Sequence, residues 1–375
     1  MALQDVKIII TDRNGVQVVE VLQYSDYSFD SQMDLVSDAF SLTLVDPYFW
    51  IETGYYIYFY INKKLAFRGT VQRKEISVSK SGVSVTISGK DTSSTLVESF
   101  CSSFTDYSNW YPYTIISNLI SQTAFKVQKK ETVDTVPESD FDSGTDTADF
   151  QGDLNEQLQD NDTLSNTNYV FYDENFLDLP VRANFKINIE DKVYDKIQEL
   201  VTGAGYQVLF EEEGRLYIGD LRRKRNDDTV RYKIINKRNN STNNIISGSV
   251  TDDISGRYAM ISVFSQSKTG VNTKKTMVDS TVPSMKTMVV QVQSEPEPLK
   301  IAQQLMEDQK QEGYSVRYEV PGHVQGHDFW RVNRFCSVDD EILDIREDLV
   351  VYGRTFNFGR DGTTTSLTLG KKRIF

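Results

Sequence analysis

The sequence predicts a β-rich α+β protein, on three observations. Two stretches near opposite ends of the chain follow the same loose order. Leu65-Ala66-Phe67-Arg68-Gly69 leads through a polar–apolar run to Ser81-Gly82, then through Val83 to Gly89-Lys90. Leu349-Val350-Val351-Tyr352-Gly353 leads to Asp361-Gly362, then through Thr363 to Gly370-Lys371. Both read as strand, kink glycine, strand, tight turn, strand. The interval from leucine to glycine is the same in both, but the next is 13 residues in one and 9 in the other, so the repeat is not strict. Elsewhere apolar residues mostly alternate with polar ones, the period of a half-buried strand. Three helical patterns stand apart among these strands, which argues against a doubly wound sheet. A chain holding two copies of a small β-unit can build a ring of six units from three chains.

The elements follow in order. Val6, Ile8 and Ile10 alternate, Asn14-Gly15 offers a type I′ turn, and Val16, Val18, Val19 and Val21 return. Phe40, Leu42 and Leu44 form a half-buried strand that Asp46-Pro47 ends. Tyr55 to Ile61 is an aromatic strand, turned by Asn62-Lys63-Lys64 into the Leu65 strand. Ser81-Gly82 joins Glu75–Val78 to Val83–Ile87, so the first ninety residues read as an antiparallel barrel or sandwich. Pro112 suits a first helical turn, and Ile115, Ile116, Leu119 and Ile120 share one face. Val193, Ile197, Leu200 and Val201 make a second helix ended by Gly203 and Gly205. Tyr206–Phe210 and Arg215–Ile218 form a hairpin about Glu213-Gly214. Tyr258 to Phe264 is a strand, residues 265 to 285 read as an exposed loop, and Val289, Val290 and Val292 mark another strand. Pro296 and Pro298 precede a third helix with a face of Leu299, Ala302, Leu305 and Met306, closed by Gly313. Tyr314 to Val320 is a strand leading into the second β-unit.

The chain has 375 residues, 39% of them hydrophobic, and a formal net charge of −13. Mean hydropathy is −0.43, and no run of 18 apolar residues exists, so no membrane span is expected. Met1-Ala2-Leu3-Gln4-Asp5 lacks the pattern of a signal peptide. Cys101 and Cys336 sit in no CxxC pattern, which fits reduced, cytoplasmic folding and leaves one long-range disulfide open. The acidity is local: residues 131 to 180 hold 14 of the 54 Asp and Glu and no Lys or Arg. The remainder is near neutral, which gives non-specific DNA wrapping no support. The acidic stretch reads as an insertion that orders in an assembly and points outward or toward a neighbouring protein.

No catalytic constellation emerges, and no catalytic, cofactor-binding or metal-binding residue is assigned. His323 and His327 lie four apart, but Pro321, Gly322 and Gly326 oppose the helix a zinc pair needs. Asp140, Asp142, Asp146 and Asp149 fit no EF-hand spacing and read as a solvated loop, with a weak ion site between chains left open. Arg222-Arg223-Lys224-Arg225 reads as solvated, or as paired with neighbours such as Asp227 and Asp228. Gly203-Ala204-Gly205 follows a helix, the reverse of a phosphate loop. Two alternatives to a structural role are a cell-wall hydrolase using Glu138 or Glu156, and a glycan- or receptor-binding β-module using Tyr107, Trp110 and Tyr111.

Several stretches, in order, resemble one known family. They are Tyr27-Ser28-Phe29 with Phe40-Ser41-Leu42-Thr43-Leu44-Val45-Asp46, and Phe67-Arg68-Gly69-Thr70-Val71 with Ile87-Ser88-Gly89-Lys90-Asp91. Further along stand Asn244-Ile245-Ile246-Ser247-Gly248, Gly256-Arg257-Tyr258, Val320-Pro321-Gly322-His323, Phe329-Trp330 and Val332-Asn333. Their collinear order resembles the baseplate hub proteins of contractile phage tails, the Mu-like tail protein P family. The acidic segment departs from that pattern. The resemblance implies two tube-like antiparallel β-barrel domains, at 1–100 and 231–375, the second with one helix. Between them it places a small α/β module (101–130 and 181–230) and the acidic insertion (131–180). It further implies a homotrimeric, non-enzymatic hub without cofactors. Its partners would be itself, the tail spike, the tail tube or distal tube protein, baseplate wedge proteins and the tape-measure protein, with DNA only in passage. Its place would be the virion tail baseplate, assembled in the host cytoplasm. A non-contractile tail is not separated from a contractile one.

Overall fold

The computed structural model describes residues 5–15, 18–33, 37–80, 82–123, 125–127, 168–182, 184–212, 214–227, 231–266, 272–283, 285–293 and 298–372. The first β-region holds β1 (Val6–Thr11), β2 (Val18–Glu20), β3 (Tyr24–Gln32), β4 (Ala39–Val45), β5 (Tyr56–Ile61), β6 (Lys64–Ser79) and β7 (Gly82–Asp91). Phe40, Leu42 and Leu44 of β4 are buried, as their alternation requires. The β1–β2 hairpin forms, but its turn is not type I′: of Asn14 and Gly15 only Gly15 has positive φ, and the Asp12 carboxylate accepts from the Asn14 N–H. The tight turn with two consecutive positive φ values is Asn62-Lys63 between β5 and β6, where Ile61 faces Lys64.

A mixed module follows. It contains α1 (Ser94–Glu98), β8 (Thr105–Tyr107), α2 (Pro112–Ile120), β9 (Phe125–Val127), β10 (Asn168–Tyr172), α3 (Glu174–Leu177), β11 (Phe185–Ile187), α4 (Val193–Gly203), β12 (Gln207–Glu211), β13 (Arg215–Gly219) and α5 (Leu221–Asp227). Its main sheet runs β12-β13-β10-β9, and the apolar faces of α2 and α4 pack on it. Residues 168–180 were expected at the end of the acidic insertion. They instead supply a strand and a short helix to this module, because Val170, Tyr172 and Phe176 are apolar enough to join its core. The remaining acidic segment, 131–167, lies outside the described residues.

The last region holds β14 (Arg231–Asn236), β15 (Ser247–Asp252), β16 (Met260–Gln266), β17 (Asn272–Val278), β18 (Thr287–Gln293), α6 (Pro298–Gly313), β19 (Tyr314–Pro321), β20 (Val324–Gln325), β21 (Asp328–Phe329), β22 (Phe335–Asp340), β23 (Ile345–Gly359) and β24 (Gly362–Lys371). The expected loop at 265–285 contains β17, whose exposed Lys274 and Lys275 concealed it; it pairs with β16 residue for residue. In α6 the buried face is Ile301, Ala302 and Met306, and Leu299 is exposed at the first turn.

Two separate barrels were expected. The two β-regions instead share one 13-stranded sheet, ordered β15-β19-β24-β23-β3-β4-β7-β6-β5-β1-β2, with β22 and β14 branching from β23. No sheet closes on itself among the described residues. One core serves both regions: Phe29, Phe40, Leu42, Phe59 and Ile87 pack with Val316, Tyr318, Phe356 and Leu367. Each such side chain contributes about 1.5–3 kcal/mol on burial. No helix is long and apolar enough to cross a membrane among the described residues.

The candidate assembly surface

The repeat seen in sequence is a structural repeat in another register. In the β6–β7 hairpin Gly69 faces Asp91, Val71 faces Gly89 and Ser79 faces Gly82, with an irregularity at Gln72. In the β23–β24 hairpin Leu349 faces Lys371, Val351 faces Leu369 and Gly359 faces Gly362, with an irregularity at Tyr352. All these positions differ by the same 280 residues. The leucine–glycine match is therefore four residues out of phase. Neighbouring bonds repeat as well: Val71 exchanges hydrogen bonds with Gly54 and Tyr55, and Val351 with Asn333 and Arg334.

The equivalence extends outward. β4 lies on β7 with Phe40 opposite Gly89 and Leu42 opposite Ile87; β19 lies on β24 with Val316 opposite Leu369 and Tyr318 opposite Leu367. β3 lies on β4 with Phe29 opposite Phe40; β15 lies on β19 with Val250 opposite Val316. Gly89 tolerates no larger residue: a Cβ there would collide with the Thr70 carbonyl oxygen.

The two units meet where the second half of β23 pairs antiparallel with β3, Phe356 opposite Phe29 and Phe358 opposite Tyr27. The seam is aromatic. Phe29 stacks on Phe59 at 4.2 Å between ring centroids, Tyr27 stacks on Phe358 at 5.5 Å, and Tyr24 meets the Phe358 edge at 5.4 Å.

Polar groups are buried beneath it. His323 lies between Tyr27 Oη at 2.8 Å from Nε2 and Thr365 Oγ1 at 3.0 Å from Nδ1. Burial, and then the Arg354 charge, push its imidazole down to about 3, so it is neutral. Arg354 donates to the Ala66 carbonyl at 2.7 Å, lies 3.6 Å from Glu212 and covers the Phe356 ring. Nearby, burial raises both the Asp38 and Asp91 carboxyls, Asp38 also through the Asp91 charge.

The same pairing is absent at the two outer positions. In the first unit, the outer edge of β6 over residues 73–78 has no strand partner among the described residues, and in the second unit neither does the outer edge of β15. Both carry exposed apolar side chains: Ile76 is 46% and Val78 77% exposed, Val250 40% and Ile246, just before β15, 54%.

The face of the sheet away from the core is mainly hydroxylic, with Asp30, Lys90, Arg317 and Glu319 also standing on it. Thr364, Asn357, Ser28, Ser41 and Ser88 follow one another across five strands. Thr43 and Thr86 touch at 3.2 Å on the same face. Arg73, next in the row, is paired with Glu75.

Other sequence candidates scatter. His327 is exposed in the β20–β21 turn, away from the buried imidazole of His323, and the two build no common site. Arg222 binds Asp220 at 2.7 Å, Arg223 lies 3.6 Å from Asp173, Lys224 lies 3.3 Å from Glu211, and Arg225 donates to Asn333. Arg222 thus pairs with the nearby Asp220, Arg223 and Lys224 with acids of other elements, and Arg225 with an amide oxygen. Tyr107 is buried, contrary to expectation, and meets the edge of the exposed Trp110; Tyr111 is exposed. Cys101 and Cys336 are free thiols in separate cores. Glu138, Glu156, Asp140, Asp142, Asp146 and Asp149 lie outside the described residues. The sequence reading missed the β6 and β15 edges: Ile76 and Val78 were visible only as ordinary strand residues, and no strand was assigned at Val250.

No protein-family model matches the chain, and no curated protein matches it in sequence. Solved structures do match. A tail protein from Neisseria meningitidis MC58 is similar at a TM-score of 0.73 and 18% identity, over 98% of this chain and 97% of that one. The 43 kDa tail protein of prophage MuSo2 from Shewanella oneidensis is similar at 0.68 and 14%, over 98% of each. An Escherichia coli component of the type VI secretion system is similar at 0.53 and 10%, over 98% of this chain and 77% of that one. It is described as structurally similar to the T4 bacteriophage tail proteins gp27 and gp5. These likenesses show a shared fold.

Proposed function

We propose that the chain is the structural, non-enzymatic hub of a phage tail baseplate: a homotrimeric ring that joins a hexameric tail tube to a trimeric central spike and surrounds the DNA channel. One observation carries this reading. Two units equivalent pair for pair are joined edge to edge inside one chain, and among the described residues the same edges recur without a strand partner at both outer ends. Three chains then give six similar units on the face toward a sixfold tube. They keep threefold differences on the other face, since β1 pairs antiparallel with β5 whereas β14 pairs parallel with β22. The two β-regions act as the tube-like domains, and the module and the acidic insertion serve neighbouring baseplate proteins.

The hydroxyl-rich face fits the channel wall. A polyanion is held by clustered Lys and Arg through phosphate contacts, and a row of Ser, Thr and Asn offers none. DNA, or the end of the tape-measure protein, would slide past it. The solution mass of the purified chain by light scattering tests the reading. A value near three times 42.9 kDa is expected; a monomer at every concentration contradicts a ring held by this chain's own edges.

A further inference from the structure

We propose that the Arg73–Val78 edge of one copy pairs antiparallel with the Ser247–Asp252 edge of a second copy, with Ile76 opposite Val250 and Val78 opposite Gly248. This rests on the ring reading and adds its contact, register and side chains. The number of chains comes from that reading; the register comes from the junction already present within one chain.

The derivation is by equivalence. Ile76 and Val78 stand where Phe356 and Phe358 stand in the other hairpin. Val250 and Gly248 stand where Phe29 and Tyr27 stand on the inner strand. Phe356 faces Phe29 and Phe358 faces Tyr27 inside the chain, so Ile76 faces Val250 and Val78 faces Gly248 between chains. Ile246 holds the place of Tyr24, which packs on Phe358, and so falls on Val78. The apolar side chains exposed along these two edges thus meet one another.

The surroundings agree. An exposed strand edge with apolar side chains is a pairing site unless charge or a bulge blocks it, and residues 76–78 and 246–250 carry no charge. A mainly apolar cavity of about 270 Å³, lined by Phe49, Trp50, Ile51, Ile76, Val83 and Val85, opens beneath the β6 edge. Trp50, which lines it, holds its ring 4.1 Å from Lys74 Nζ. Lys74 falls opposite Asp252, so the one cation on the core-facing side of this edge meets an anion.

The test places cysteines at exposed, paired positions of the full chain. Ser77→Cys with Ser249→Cys is in register, the counterpart of Asn357 with Ser28. Ser77→Cys with Thr251→Cys is displaced by two residues, about 7 Å along the strand. Each variant is oxidised with diamide, run on non-reducing gels and weighed by light scattering. The expected result is a trimeric mass with the in-register pair giving at least tenfold more covalent trimer than the displaced pair. A trimeric mass with no cross-link, or with the displaced pair favoured, overturns the register and leaves the ring standing. A monomeric mass without cross-link overturns both.

Discussion

Gln72 and Tyr352 occupy the same place in two hairpins: each interrupts the ladder three residues after strand pairing begins at Gly69 and Leu349, 280 positions apart. A bulge bends its strand and sharpens its twist. Two bulges at one place give two units the same curvature, which a ring of equal units requires. After the bulge, β23 takes β3 as its partner, whereas β6 runs on with an open outer edge.

A charge on that edge should break assembly and spare the fold. Ile76→Asp or Val250→Asp puts a carboxylate into an apolar seam, where an unpaired charge is costly. Both sites are exposed in the single chain, so its stability should move by no more than about 0.5 kcal/mol. Light scattering should show at least a tenfold weaker association, with an unchanged urea midpoint for the monomer.

Packing under the seam should behave as a core. Leu42→Ala should cost about 2–5 kcal/mol and Phe356→Ala about 3–5 kcal/mol, because both side chains are fully buried. Ser41→Ala, on the hydroxylic face, should stay within about 0.5 kcal/mol. Urea unfolding of the three variants measures the contrast.

Arg354 should be needed where it lies. Arg354→Met removes the buried cation beside Glu212 and Asp38, while Arg68 remains beside Asp91. Removing one partner of a buried ion pair costs about 3–5 kcal/mol. Adding Glu212→Gln to Arg354→Met should recover part of the loss in thermal unfolding.

Much of this was legible in the sequence. The alternation of Phe40, Leu42 and Leu44 and the helical faces of α2 and α4 follow from periods of two and 3.6 that burial imposes locally. The partner of Phe29 was not legible, because Phe356 lies at the far end of the chain and any strand of the same period could have taken its place. Glycines misled the repeat: Gly69 pairs with Asp91 at the start of its ladder, whereas Gly353 follows the bulge. β17 was hidden because its lysines face solvent and leave no apolar period to read. The free edges are a property of the whole sheet order.

The pH dependence should carry two opposed signs. His323 is held neutral by burial, with its native value near 3. The unfolded chain therefore binds more protons between pH about 6.5 and 3, and stability is lost as pH falls through that window. Asp91 is pushed up to about 7 by burial. There the native state binds more protons between about 3.9 and 7, and stability is lost as pH rises through that window. His323→Gln should flatten the acid-side loss and Asp91→Asn the loss toward neutrality, each by up to about 1.4 kcal/mol per pH unit. Urea unfolding at pH 4.5, 6 and 8 separates the two.

The most direct test is an electron cryo-microscopy reconstruction of the purified assembly. The account predicts three chains around a hole, a sheet running unbroken across each boundary with Ile76 against Val250 of the neighbour, and Ser28, Ser41 and Ser88 facing the hole. An assembly held through other surfaces, with residues 73–78 open to solvent and the hydroxylic face turned outward, would contradict it.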